Sequence, residues 1–324
     1  MINKEDIIKY SRQNTIGELS PWFEKQLGKL IVNNFYPTIN ELMEIKLDIV
    51  KQLKKYSQEN NIDSVAIGIS GGVDSALTAA LFKEAGWKVR GVIMPIHQKP
   101  EETERGIETC KALEIGWVMR DLTELYDQIL PTFQNWDLEQ TSIRAGNLRV
   151  RLRMMTVYNE AAIIEGCVGS TDNFSELAAG FWTLHGDVGD VAPIQTLNKS
   201  WEVPRLAEMM KVPDSVVKAV PTDGLGISNS DEDQFGFSYL EFDIVMQSMC
   251  QLFYKNEVGG INTALTALKI PEEDMEKVKK ILRRIKSSAF KRQNPYNLFH
   301  PIQPKTRTTG LESLDYYLML DQNT

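Results

Sequence analysis

Ser64-Val-Ala-Ile-Gly-Ile-Ser70-Gly-Gly-Val-Asp74-Ser75-Ala-Leu, running on into Thr78-Ala-Ala-Leu-Phe-Lys-Glu-Ala85, is the stretch that decides the fold. A short β-branched apolar run comes first, then Ser-Gly-Gly-x-Asp-Ser, then an alanine-rich segment of strong helix formers closed by Gly86. The run suits a buried parallel strand and the segment a helix. Gly71 and Gly72 carry no Cβ, so the backbone between them can turn sharply and come close to a ligand. The N–H groups at the helix start then form an anion site, to which the helix dipole adds positive potential. The Gly-Lys-Ser/Thr ending of a Walker A loop is missing. A plain βα turn of small residues is the alternative.

Downstream, strand and helix alternate. Residues 89–95 read as a second strand, 101–115 as a helix and 117–121 as a third strand. Residues 149–165 read as a helix, 166–169 as the end of a fourth strand and 173–181 as a further helix. This alternation predicts an α/β fold, a doubly wound, Rossmann-like parallel sheet flanked by helices, with ligands at the carboxyl ends of its strands. Upstream, Leu42, Ile45, Ile49, Val50 and Leu53 recur at helical spacing, which suits a covering or dimer-facing helix. Past Gly224 the pattern is irregular, and helices return at 239–255 and 272–286. From about Asn294 the chain is polar with scattered prolines and reads as a loosely packed tail. With no internal repeat, the expected organisation is an N-terminal helical extension (1–60), one catalytic domain (61–295) and a polar C-terminal tail (296–324).

The 324 residues, 42% apolar and 25% charged, have the composition of a soluble globular protein with room for one large α/β domain. A net charge of −8 argues against general binding to nucleic acid or a membrane surface. The start, Met1-Ile-Asn-Lys-Glu-Asp, is polar at once, and no apolar run reaches membrane-spanning length. Cys110, Cys167 and Cys250 are far apart and form no CxxC pair, so a reducing, cytoplasmic compartment is expected. Three histidines are too few for a histidine-rich metal centre, so any divalent ion should be oxygen-bound, Mg²⁺ rather than Zn²⁺.

Several residues carry two readings. Asp74 can hold Mg²⁺ against phosphates or stabilise the first helical turn through the dipole. Asn173-x-x-Glu176 has capping-box spacing, which leaves Glu176 as a cap or as a second metal ligand. Arg149 and Arg153, four apart, share a helical face that Arg151 does not, and all three suit a solvated face beside a core stripe. Lys199 is a lone lysine before a helix and would ordinarily be a surface residue. Thr222 can bind a phosphate or cap a turn, and Asp187 and Asp190 suit a glycine-rich turn.

Ser70-Gly-Gly-x-Asp74-Ser75 resembles the pyrophosphate loop of ATP pyrophosphatases, which cut ATP between the α and β phosphates. Residues 146–155, 170–176, 186–193 and 221–225 follow it in order, with Lys199 and Lys291-Arg292-Gln293-x-Pro295. As an ordered set these segments, spanning roughly 65–295, resemble NAD synthetases, the ligases that amidate deamido-NAD to NAD. The resemblance implies an adenine nucleotide α-hydrolase-like fold, ATP as co-substrate and Mg²⁺ as cofactor. It implies ATP contacts from Gly68, Ser70, Gly71, Gly72, Asp74, Ser75, Met94, Arg151, Thr171, Lys199 and Thr222. Asp74 and Glu176 become metal ligands and, with Lys199, the catalytic set. Phe181, Asp187, Asp190, Phe290 and Lys291 become contacts of deamido-NAD. A homodimer sharing the deamido-NAD site is implied, with small-molecule partners and neither nucleic acid nor membrane. Three features depart from the family pattern: Gly169 sits one residue early, the loop at 186–190 is one residue short, and Phe290 stands where many relatives carry histidine.

Glutamine-using relatives carry a large amidohydrolase domain before the loop, whereas about 70 residues precede it here. No cysteine follows Met1, and Glu165-Gly-Cys167-Val-Gly169 lacks the first glycine of a nucleophile elbow. Free ammonia is therefore the expected nitrogen donor. The alternatives are another ATP pyrophosphatase, such as a GMP synthetase, and a non-catalytic ATP-binding module.

Overall fold

The computed structural model describes residues 2, 4–12, 18–133, 141–222, 230–255 and 257–293. Three helices precede the sheet: α1 (Lys4–Arg12), α2 (Pro21–Val32) and α3 (Ile39–Asn60). Sequence fixes their ends: Ser20 and Pro21 start α2, a Thr38–Glu41 capping box starts α3, and left-handed Asn61 stops α3.

The apolar run becomes β1 (Ser64–Gly68), followed by α4 (Val73–Glu84), β2 (Lys88–Ile93), α5 (Pro100–Ala112) and β3 (Gly116–Met119). After α6 (Thr123–Ile129) and α7 (Thr141–Ile163) comes the short β4 (Cys167–Val168). All strand pairs are parallel: Ser64 lies opposite Lys88, Arg90 opposite Gly116, and Val65 opposite Cys167. The order β3-β2-β1-β4 puts the topological reversal between β1 and β4, where a crevice opens at the carboxyl ends of the strands. Val191 extends this edge through an isolated parallel bridge to Gly169.

β1 alternates as a strand must. Val65 and Ile67 enter a large core with Leu42, Leu53, Leu77 and Phe82 on the α3 and α4 side. Ala66 faces a second core with Met94, Tyr126, Leu152 and Val157 beneath α6 and α7. The sheet is thus covered on both faces. Truncating Leu77 or Phe82, both fully buried, should cost about 2–5 kcal/mol.

The remainder is helical: α8 (Phe174–Ala179), α9 (Glu202–Met209), α10 (Asp214–Val217), α11 (Asp231–Phe235), α12 (Tyr239–Tyr254), α13 (Ile261–Leu268) and α14 (Glu272–Ser287). α12 is buried along most of its length and meets α2, α8, α13 and α14. α2 reaches across to this layer, where Trp22 Nε1 donates to Leu268 O at 3.1 Å and Ser20 Oγ to Asp274 Oδ2 at 2.7 Å.

Three expectations need correction. α7 begins eight residues before the expected start at Arg149; Gly146, a poor helix former, is buried there, and packing overrides its propensity. The third strand ends at Met119, and the stretch past Gly224 contains α11. The tail expected at 296–324 and residues Asp223, Gly224, Leu225 and Pro295 of the quoted motifs lie outside the described residues.

Candidate active site

The loop after β1 is shaped by its own side chains. Gly71 has φ +85°, and a Cβ on it would lie 2.1 Å from Glu102 O, so only glycine fits where α5 crosses the loop. Ser75 Oγ donates to Gly72 O at 3.0 Å, Ser70 Oγ accepts from Gly72 N at 3.2 Å, and Arg105 Nε donates to Gly71 O at 3.1 Å. Gly72 is the N-cap of α4 and no side chain caps that helix. The first N–H groups of α4 thus meet the crevice as ready anion donors.

Beside this loop stands an acid–lysine cluster. Lys199 Nζ donates to Asp74 Oδ2 and lies 3.4 Å from Glu176 Oε1, with its side chain 8% exposed. Asn173 Nδ2 donates to Asp74 Oδ1 at 2.9 Å. The cap reading of Glu176 holds, and the same side chain keeps a second oxygen for the cluster. Oε2 accepts from Asn173 N at 3.2 Å in a complete capping box that starts α8, while Oε1 faces the lysine. Burial, and then the Asp74 charge, hold the Glu176 carboxyl well above the usual range. Burial pulls Lys199 down, but the Asp74 and Glu176 carboxylates outweigh it and hold the ammonium above its ordinary value. Behind them, Asp172 accepts from Ser170 Oγ at 3.0 Å and is pushed up to about 8 by burial and the nearby Asp187.

The crevice is a cavity of about 500 Å³ lined by Gly68, Ser70, Gly72, Asp74, Ser75, Met94 and Thr171. Thr222 lines it too, its hydroxyl donating to Glu102 Oε1 at 3.0 Å. The far end is aromatic and cationic. Phe181 meets Phe235 edge-on at 4.5 Å, with the Arg284 guanidinium 5.9 Å from the Phe181 ring. Lys291 Nζ donates to Gly180 O at 2.7 Å and lies over the Trp182 ring. Asp187 Oδ2 accepts from Thr183 N at 2.6 Å.

The residues expected from sequence mostly converge here, with four exceptions. Gly71 turns the loop but does not line the cavity. Arg151 points away and donates to Leu184 O at 3.2 Å; Arg153, two residues on, lines the cavity and donates to Met94 O at 3.1 Å. Helical geometry accounts for this, because i and i+2 lie on different faces. Asp190 is turned outward: its carboxylate accepts from Val168 N and Tyr158 Oη, both at 2.8 Å, satisfying the N–H of a short edge strand. Phe290 is 62% exposed and outside the cavity. Sequence reading missed Arg105, Asp172, Asp231 and Arg284, which all line it. Arg105 and Arg284 sit in strongly charged helices, where nothing local marks them off from a solvated face.

An anion cradle at the switch point of a parallel sheet, faced by carboxylates and a lysine, is the arrangement of an α/β protein built to hold an anionic ligand at the carboxyl ends of its strands. Comparison with known proteins narrows the class. The profile of the NAD synthase family matches residues 45–295, and the chain belongs to that family. It is accordingly an amide-forming ligase of NAD biosynthesis. The chain is 36% identical to the NH(3)-dependent NAD(+) synthetase of Finegoldia magna over 198 residues, 60% of this chain and 80% of that one. Its fold is shared with the NMN synthetase of Francisella tularensis (TM-score 0.64, 24% identity, 81% of this chain and 98% of that one). It is also shared with the NH3-dependent NAD synthetase of Campylobacter jejuni (TM-score 0.61, 24% identity, 80% and 99%).

Proposed function

We propose that the chain amidates deamido-NAD to NAD with ATP and free ammonia, releasing AMP and pyrophosphate. The observation that carries this reading is the meeting of Asp74, Glu176 and Lys199 beside the uncapped start of α4. The substrate carboxylate attacks the α-phosphorus while pyrophosphate departs, so charge builds on the phosphate oxygens. The α4 N–H groups, with Ser70 and Ser75, bind the departing phosphates, and Lys199 stabilises the charge where it develops. Met94, Thr171 and Thr222 complete the ATP end, and Arg153 takes the part that the family pattern gave to Arg151. Phe181, Asp187 and Lys291 receive deamido-NAD. Ammonia then attacks the adenylated carboxyl, from which AMP leaves far more readily than hydroxide would from the free acid.

The donor chemistry fits Mg²⁺. Asp74 and Glu176 offer hard oxygens, and among the described residues no group of three His, Cys, Asp or Glu forms a closed metal cage. Mg²⁺ commonly takes one or two carboxylates together with water and substrate phosphates. When bound, it would neutralise charge on the leaving pyrophosphate.

The dimer reading is supported by α7, where Met155 and Tyr158, three apart on one helical face, are 60% and 41% exposed. A two-fold partner on this face would cover both. Cys110, Cys167 and Cys250 are all unpaired, which suits the cytoplasm, and no described helix is long and apolar enough to cross a membrane.

The test is to incubate the purified chain with ATP, Mg²⁺, deamido-NAD and ammonium, expecting NAD and AMP in equal amounts. Glutamine in place of ammonium should give no NAD. Glutamine-driven synthesis with ammonia excluded would overturn the choice of donor, and no NAD from either donor would overturn the reading. Light scattering should give twice 36.8 kDa, and a fully active monomer would sink the shared site.

A further inference from the structure

Behind the acid–lysine cluster lies a carboxylate that does not line the cavity. Asp243, on α12, is fully buried. One oxygen accepts from Ser175 Oγ at 2.6 Å and the other from Ser200 N at 3.2 Å. Ser175 Oγ in turn accepts from Lys199 N at 2.9 Å. The two peptide N–H groups on either side of the Lys199 Cα are therefore anchored, one directly and one through a hydroxyl, to a single carboxylate. Ser175 also immediately precedes Glu176 in α8, so the same group ties down the backbone beside both Lys199 and Glu176.

A buried carboxylate is tolerated only where hydrogen bonds compensate its desolvation. A staple between α12 and α8 alone would be served as well by apolar packing, but packing would not fix two N–H groups around one lysine. We propose that Asp243 is a positioning residue that, through Ser175 and Ser200, fixes Lys199 and Glu176 relative to each other and to the ATP phosphates. The proposal rests on the role given above to Lys199.

The test is a set of variants assayed by pyrophosphate release: Asp243→Asn and Ser175→Ala, each alone and each combined with Lys199→Met. Ser175→Ala removes the relay while Asp243 keeps its bond from Ser200 N, so it remains informative if Asp243→Asn folds poorly. Each single variant should lower kcat by about tenfold or more, the scale of a small misplacement of a reacting contact. The KM for deamido-NAD should stay within about twofold, because that substrate's end of the cavity is untouched. In the Lys199→Met background the further loss should be less than about twofold, since both changes act through one group. Wild-type kcat in Ser175→Ala, or the full loss repeated in the absence of Lys199, overturns the positioning role alone. Wild-type kcat in Lys199→Met overturns the role of Lys199 itself, and the positioning role with it.

Discussion

Replacing Glu176 by glutamine separates two jobs that one side chain performs. Oε2 closes the cap of α8 on Asn173 N at 3.2 Å, while Oε1 faces Lys199 at 3.4 Å. Glutamine keeps a carbonyl oxygen for the cap and loses the charge. Glu176→Ala removes the Oε2 half of the capping box, while Asn173 Oδ1 still accepts from the N–H of residue 176, so it costs about 0.5–1.5 kcal/mol of stability, the worth of one hydrogen bond. Losing one electrostatic contact that works in the transition state costs about 10²–10³ in kcat, or about 2.7–4 kcal/mol. Glu176→Ala should therefore show both losses and Glu176→Gln only the second. Stability of the glutamine variant should match or exceed the parent's, because burial and the Asp74 charge already disfavour the Glu176 anion. Pyrophosphate release at saturating substrates measures the first quantity and a thermal melt the second. A glutamine variant with parental kcat would show that Glu176 is a cap and nothing more.

Arg153→Met should lower kcat/KM for ATP by about tenfold or more and Arg151→Met by less than about twofold, as loss of a charged contact demands; the reverse order would restore Arg151 to the site. Phe181→Ala should raise the KM for deamido-NAD more than that for ATP, and equal effects would remove Phe181 from the substrate end. Asp172, pushed up to about 8 by burial and Asp187, keeps its proton at pH values where the unfolded chain has lost it. Its effect on folding is nil below about pH 4, and stability is lost progressively as pH rises through the folded value. Asp172→Asn melts should therefore gain on the parent between pH 5 and 8, and a gap constant with pH would refute this.

What could be read from sequence was local. The β1–loop–α4 unit showed itself through a β-branched run, a glycine pair and an alanine-rich helix, all within one short stretch. Glu176 was legible as a cap because its partner at 173 stands three residues before it, at capping-box spacing. Hidden features depended on distant chain. Arg105 becomes a loop clamp only because α5 crosses Gly71, and Asp243 meets Ser175 across 68 positions. Asp190 misled because a glycine-rich loop gives no sign of which way an aspartate turns; a strand's lone N–H decided it.

That turn of Asp190 has a consequence for the sheet as a template for other chains. At the β4 end, the strand's N–H is occupied by a carboxylate that Tyr158 holds in place, and 190–191 runs alongside. At the opposite end, β3 shows Trp117 and Met119 to solvent at 37% and 48% exposure. Unshielded strand edges invite pairing with foreign strands. Among the described residues one flank is thus shielded while no strand pairs with β3 on the other, so aggregates seeded from the native state should grow from β3.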